Sequence, residues 1–144
     1  MRINEIDLQC EDIMWFATDH NGNIFECTSA GCGNVPEYVC RSREETETLL
    51  DYFMEKAPAV TSFQLLIPAE DNDLIDDVKK LASKGLFCFD ITDYDNDDKY
   101  SCIAIPENAI KISDLPSDIQ KLLSDHIYNG DVSKEHTISV DHAY

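Results

Sequence analysis

The chain has 144 residues, 43% of them hydrophobic, which suffices for one domain with a substantial buried core. It carries 29 Asp and Glu against 11 Lys and Arg, a formal net charge of −18 at pH 7. This balance argues against direct binding to DNA or RNA and against attraction to anionic membranes, because both need clustered basic residues.

The N-terminal residues lack the apolar segment of a secretory signal, and no run approaches the roughly 18 apolar residues of a membrane span. We therefore expect a soluble, cytoplasmic protein. The six cysteines form no Cys-x-x-Cys pair and fit no common zinc spacing, so we expect reduced thiols that serve as small buried apolar residues. They are Cys10, Cys27, Cys32, Cys40, Cys88 and Cys102.

The first half of the chain begins with a lead-in over residues 1–12 and then a β-hairpin over residues 13–28, whose turn contains Asn21-Gly22. A single helical turn follows at residues 35–39. Ser42 and Glu45 form a capping-box pattern that opens a helix reaching Lys56.

The second half begins with a strand at residues 61–67 and a helix from Asp71 to Lys84, ended by Gly85. A second hairpin pairs residues 86–91 with 100–105. Placing Cys88 opposite Cys102 gathers Phe87, Phe89, Ile91, Ile103 and Ile105 on one face and makes the two thiols neighbours.

The chain ends with a short extended segment at residues 109–112 and a last helix from Pro116 to Asn129-Gly130, with Ile127 in its buried stripe. Residues 131–144 form a polar tail that adds an edge strand or stays mobile. The sequence thus predicts a single α+β domain over residues 1–130. Its mainly antiparallel sheet has about five strands, with three helices packed on it.

Acidic residues are concentrated between Glu70 and Asp98, a segment with ten acidic and three basic residues. Asp93, Asp95 and Asp97 mimic the first ligands of a calcium loop, but Asp98 replaces its glycine, so we predict no metal site. We expect these aspartates to contact a partner, and those of the preceding helix to assist. The candidates are Asp93, Asp95, Asp97 and Asp98, then Asp71, Asp73, Asp76 and Asp77.

Several short motifs together resemble small bacterial cytosolic proteins similar to immunity proteins of polymorphic toxin systems. The resemblance spans residues 13–127. In the first half it rests on Trp15-Phe16, Asp19, Gly22-Asn23-Ile24, Gly31, Gly33, Val35-Pro36-Glu37, Leu49-Leu50 and Tyr52-Phe53. In the second half it rests on Lys84-Gly85-Leu86-Phe87, Asp90, Tyr100, Ile105-Pro106 and Leu115-Pro116. The resemblance implies a non-enzymatic α+β domain that binds and blocks a toxin.

The sequence thus favours an acidic, non-enzymatic protein-binding domain without a cofactor, whose partner is a basic protein such as a nuclease-type toxin. Neither a phosphate-binding glycine loop nor a nucleophile elbow is present, and we predict no catalytic residue. Three alternatives stay open: a calcium- or zinc-binding element, a small hydrolase using a cysteine or an acid pair, and an acidic housekeeping protein.

Overall fold

The computed structural model describes residues 1–67, 73–91 and 95–144, apart from the side chains of Asp73 and Leu74. The described residues form five α-helices: α1 (Glu5–Cys10), α2 (Glu37–Cys40), α3 (Arg43–Asp51), α4 (Asp73–Ser83) and α5 (Ser117–Leu123). A π-helical turn, Tyr52–Lys56, continues α3. A 3₁₀ turn, Ile112–Asp114, precedes α5.

Seven strands of the described chain form one sheet: β1 (Met14–Asp19), β2 (Ile24–Thr28), β3 (Phe63–Leu65), β4 (Phe87–Asp90), β5 (Lys99–Pro106), β6 (Ile127–Tyr128) and β7 (Thr137–Ser139). Their order is β3-β5-β4-β2-β1-β6, and β7 also pairs with β5. The α+β class and the single sheet are confirmed. The expected count of about five strands and three helices is too low.

The sheet is mixed, and most of its strand pairs are antiparallel, as expected. β2 pairs with β4 and β1 pairs with β6 in parallel, whereas the other four pairs are antiparallel. The parallel β2–β4 pair requires a long crossover, which is supplied by the chain between Ser29 and Leu86. The carboxyl ends of β2 and β4, at Thr28 and Asp90, therefore lie at the same edge of the sheet.

Each face of the sheet is covered by its own hydrophobic cluster. The first face carries Trp15, Phe25 and Phe89, covered by α1, α2 and the C-terminal segment with Val140. The second face carries Phe16 and Ile24, covered by α3, the π-helical turn, α4 and α5. Alternation along β1 and β2 sends successive side chains to opposite faces, as strand geometry requires.

The register of the second hairpin differs from the expected one. Phe89 pairs with Cys102 and Cys88 with Ala104, so Ile103 is the extra residue of a β-bulge. Ile103 packs in the cluster of the second face with Cys88, whereas Cys102 packs on the first face. The two thiols therefore lie on opposite faces and are not neighbours.

The C-terminal helix is shorter than predicted, because α5 ends at Leu123 rather than near Gly130. His126 is buried against the carbonyl oxygen of Phe16, and Ile127 then pairs with Thr18 in β6. Ile127, expected in a buried helical stripe, is 56% exposed. Pairing with β1 satisfies backbone groups of this segment in place of another helical turn.

Two further segments are ordered where the sequence predicted no defined element. Helix α1 occupies residues treated as a lead-in, and a capping box between Asn4 and Asp7 starts it. Strand β7, within residues 131–144, pairs with β5. None of the helices in the described part of the chain is sufficiently long and apolar to span a membrane.

Candidate functional site

An apolar groove with an acidic rim runs beside α3 on the second face of the sheet, and we call it the α3 groove. Its volume is about 330 Å³. The apolar floor and the acidic rim come from β1, α3, the π-helical turn and α4. The lining residues are Met14, Glu47, Leu50, Asp51, Met54, Glu55 and Asp77.

Helical spacing produces the alternation of acid and apolar side chains in this groove. Glu47, Asp51 and Glu55 recur every four residues, so they form one row along the helix and its π-helical turn. Leu50 and Met54 form a parallel apolar row one residue before Asp51 and Glu55. The helix that presents both rows starts at Ser42, whose hydroxyl accepts a hydrogen bond from Glu45 N at 3.2 Å.

The end of the acidic row is held by a buried lysine. Lys84 is only 7% exposed, and its Nζ donates hydrogen bonds to the carbonyl oxygens of Phe53 at 3.1 Å and Ala57 at 2.6 Å. These are carbonyl groups at the C-terminal end of the π-helical turn, where a cation is favoured. The contact fixes the turn that carries Met54 and Glu55.

A smaller pocket of about 160 Å³ continues the α3 groove toward α1. It shares Met14, Glu47 and Leu50 with the groove and adds Ile13 and Asp12 to the lining. Methionine floors adapt to differently shaped apolar groups. The two cavities together form an elongated surface suited to a segment of chain rather than to one compact ligand.

The rim of the groove is negative even after its ion pairs are counted. Asp51 lies 3.1 Å from Lys56 Nζ, and Glu55 lies 3.9 Å from Lys80 Nζ. Both pairs are largely exposed and therefore weak, so a partner's basic groups can replace the lysines. Residues 43–56 carry five acidic and two basic residues.

A buried carboxyl group lies on the same sheet face as the groove floor. Glu26 has no exposed surface, its Oε1 accepts a hydrogen bond from Thr28 Oγ1 at 2.5 Å, and Oε2 has no partner among the described residues. Thr28 is paired with Met14 of the groove. Burial raises the pKa of Glu26 to about 8 and that of the half-buried Asp90 to about 6.

Glu26 and Asp90 both have raised pKa values, as the acids of a hydrolase often do, but Glu26 is sealed from solvent. Burial also raises the pKa values of Cys27, Cys40, Cys88 and Cys102, which disfavours their nucleophilic thiolate forms. Within the described ranges no cluster of three His, Cys, Asp or Glu side chains could hold a metal ion.

The structure places Asp97 and Asp98 of the predicted hairpin against segments that cover the first face of the sheet. The carbonyl oxygen of Asp97 accepts a hydrogen bond from Asn34 N, and that of Asp98 accepts one from Val140 N, both at 2.8 Å. Asp95 and Asp97 are exposed and Asp98 is half-exposed. Asp93 lies outside the described residues.

Of the other predicted aspartates, Asp76 and Asp77 lie on α4, which covers the second face of the sheet. Asp76 is exposed on α4, and Asp77 is half-exposed in the wall of the α3 groove. Asp73 is the first residue of α4, but its side chain lies outside the described part of the structure. Asp71 lies wholly outside the described residues. Asp77 therefore lines a surface with Glu47, Asp51 and Glu55, acids that the sequence analysis did not select. Their four-residue spacing was the signal that could have identified them.

No protein-family model, curated protein or solved structure matches this chain. The resemblance to immunity proteins therefore remains a prediction, and the interpretation of function rests on the geometry and electrostatics of the chain itself.

Proposed function

We propose that this protein is an acidic, non-enzymatic binding domain whose α3 groove takes a basic segment of a partner protein. The observation that carries the proposal is the pairing of an apolar floor, Met14, Leu50 and Met54, with a rim of four carboxylates. A segment with apolar anchors and flanking lysines or arginines complements both parts.

The dimensions of the groove favour a helical or extended segment. The row from Glu47 to Glu55 spans about 12 Å, since each helical residue rises ~1.5 Å. That length matches just over two turns of a partner helix, whose apolar side chains at three- and four-residue spacing would meet the floor. The net charge of −18 would accelerate the approach of such a basic partner.

The finer form of the proposal is immunity against a basic, nuclease-type toxin, as the sequence resemblance implies. A nuclease binds phosphates through a basic surface, which a carboxylate-rich partner can occupy without being cleaved. The hairpin aspartates Asp93, Asp95, Asp97 and Asp98 are the rival contact surface for the same function.

The test uses a synthetic amphipathic peptide of about four helical turns, with leucines at helical spacing and lysines elsewhere, and a scrambled peptide of equal charge. Stopped-flow association is measured for three quadruple amide variants with identical charge change. The groove variant alters Glu47, Asp51, Glu55 and Asp77; the hairpin variant alters Asp93, Asp95, Asp97 and Asp98. The control variant alters the exposed acids Glu5, Glu107, Asp114 and Asp118.

We expect the groove variant to lower the association rate about tenfold at low salt and to flatten its salt dependence. The control variant should change the rate about twofold at most. Equal losses in all three variants, or equal binding of the scrambled peptide, would contradict a defined site. Loss confined to the hairpin variant would move the site to Asp93–Asp98.

Immunity itself is tested by growth of cells that express a nuclease-type toxin encoded beside the gene for this chain. Rescue by the unaltered protein and failure of rescue by the groove variant would support the finer proposal. Undiminished rescue by the groove variant would place the toxin contact elsewhere, and absence of rescue by the unaltered protein would contradict immunity against that toxin.

A further inference from the structure

An aromatic pocket lies on the first face of the sheet, separated from the α3 groove by the strands. Its volume is about 290 Å³, at the lower end of the ~300–1,000 Å³ typical of small-molecule sites. Four aromatic rings and one carboxylate contribute to its lining, together with the exposed Ile127. The accessible rings are those of Tyr38 and Tyr128, which are half-buried, whereas Trp15 and Phe25 are fully buried and support them from the core. The carboxylate is that of the exposed Asp141.

The rings hold one another in place. Edge-to-face contacts join Trp15 to Phe25 at 6.2 Å between centroids and Trp15 to Tyr38 at 6.3 Å. Phe25 meets Tyr128 at 5.9 Å in the same manner. A rigid arrangement of this kind loses little conformational freedom when a ligand enters.

Tyr38 is fixed from a second side and faces a carboxylate. Its ring packs against the imidazole of His126, with centroids 4.9 Å apart. Burial keeps that imidazole neutral by lowering its pKa. Burial also raises the pKa of Tyr38, and the nearby charge of Asp141 adds to the effect. The Tyr38 side chain is thus a neutral, electron-rich wall beside a negative group.

Two partly accessible tyrosine rings and a carboxylate at a small cavity are the chemistry that recognises methylated ammonium groups. The positive charge is stabilised by the ring quadrupoles, and the methyl groups fill apolar space that a hydrated ammonium ion would not enter. Among the described residues that line the pocket, Asp141 is the one that carries a charge, so no described lining residue repels a cation.

We infer that the aromatic pocket binds a methylated ammonium group, carried by a small molecule or by a methylated lysine side chain. This inference does not rest on the proposed function, because the aromatic pocket and the α3 groove lie on opposite faces of the sheet and share no lining residue among those described. Failure of one binding test leaves the other unaffected.

The test titrates the full chain with choline, with an acetylated trimethyllysine amide, and with 3,3-dimethylbutanol, the neutral isostere of choline. Fluorescence of Trp15, the single tryptophan, reports occupancy. We expect both cations to bind at least about tenfold more tightly than the neutral isostere. The tighter of the two cations identifies the source of the group.

Asp141→Asn should weaken binding of both cations severalfold, because it removes the carboxylate without touching the core. Asp118→Asn on α5, an exposed acid on the other side of the sheet, is the matched control and should leave affinity unchanged. Tyr38→Leu should weaken the cations more than the isostere, its folding being checked by circular dichroism.

Equal affinity for the cations and the isostere would show an apolar pocket only and would overturn the inference. Absence of a fluorescence change and of calorimetric binding with all three compounds at millimolar concentration would overturn it as well. If neither Asp141→Asn nor Tyr38→Leu changed the affinity for the cations, the cations would bind outside this pocket, and the inference would be contradicted.

Discussion

The hydroxyl of Thr28 donates a hydrogen bond of 2.5 Å to Glu26 Oε1 on the sheet face that α3 and α4 cover. Glu26 Oε1 therefore has a hydrogen-bond partner, whereas Oε2 is buried and has no hydrogen-bond partner among the described residues. A carboxylate in this setting would be poorly compensated, so the neutral acid is the favoured form.

Glu26 makes the stability of the fold dependent on pH. Its pKa is about 8 in the folded chain against an ordinary value of 4.5, so the folded state retains a proton that the unfolded state releases between these values. The stabilisation is complete below about pH 4.5 and is lost as the pH rises toward about 8. The loss is on the order of a few kcal/mol.

Glu26→Gln removes this ionisation while keeping the shape of the side chain. We expect its unfolding free energy in urea to exceed that of the unaltered protein at about pH 8 by roughly 2–4 kcal/mol, and to differ little at about pH 5. Glu5→Gln, at an exposed position, should show no such pH-dependent gain. A constant difference across the pH range would mean that the carboxyl group is ionised in the folded protein.

Lys84 stabilises the π-helical turn through its two carbonyl contacts. Lys84→Met retains much of the apolar stem but leaves the carbonyl oxygens of Phe53 and Ala57 without this donor. We expect a loss of about 2–4 kcal/mol in unfolding free energy, because unsatisfied buried groups are costly. Lys80→Met, which removes only the exposed pair with Glu55, should cost less than about 0.5 kcal/mol. Similar losses in both variants would contradict the capping role.

Gly85 combines a positive φ of 96° with a closely packed environment. A Cβ there would lie 2.7 Å from Ile110 Cγ2, whereas a Cβ at Gly22, which also has a positive φ, would find its nearest neighbour at 3.6 Å. Gly22→Ala therefore tests the conformational cost alone, at about 1 kcal/mol. Gly85→Ala should cost about 2–4 kcal/mol in the same denaturation experiment. Equal costs would show that Ile110 moves aside freely.

The six thiols should divide into two reactive and four protected ones. Cys10 and Cys32 are exposed, whereas Cys27, Cys40, Cys88 and Cys102 are buried. Labelling with a thiol reagent at neutral pH should modify two cysteines in the folded protein and all six in urea. Cys32 should react more slowly than Cys10, because partial desolvation of its thiol and the charges of nearby aspartates raise its pKa. Rapid modification of Cys88 would contradict the buried second face.

Local sequence patterns were sufficient to predict the elements that depend on only a few neighbouring residues. The Asn21-Gly22 turn produced the β1–β2 hairpin, Ser42 the start of α3, and Gly85 the end of α4. Each depends on a turn conformation or a cap that the neighbouring residues supply. The cluster of acids before Asp98 was also evident, although its role as a contact surface remains a prediction.

Pairing between distant segments decided what those patterns could not. Ile127 fits a helical stripe, yet the edge of β1 recruits it into β6. Ile103 was expected on the same face as Phe89, but the bulge turns its side chain to the second face. The register of β5 is decided by how it fits against β4 and against α4.

The sequence by itself determined the composition of the binding surfaces: an excess of carboxylates, the four-residue row of Glu47, Asp51 and Glu55, and a chain rich enough in apolar residues to fold. Only the tertiary structure decided that Met14 and Asp77 complete the groove, and that Glu26 is fully buried. The reason is that burial and proximity depend on how helices and strands far apart in the chain cover one another, which no local periodicity encodes.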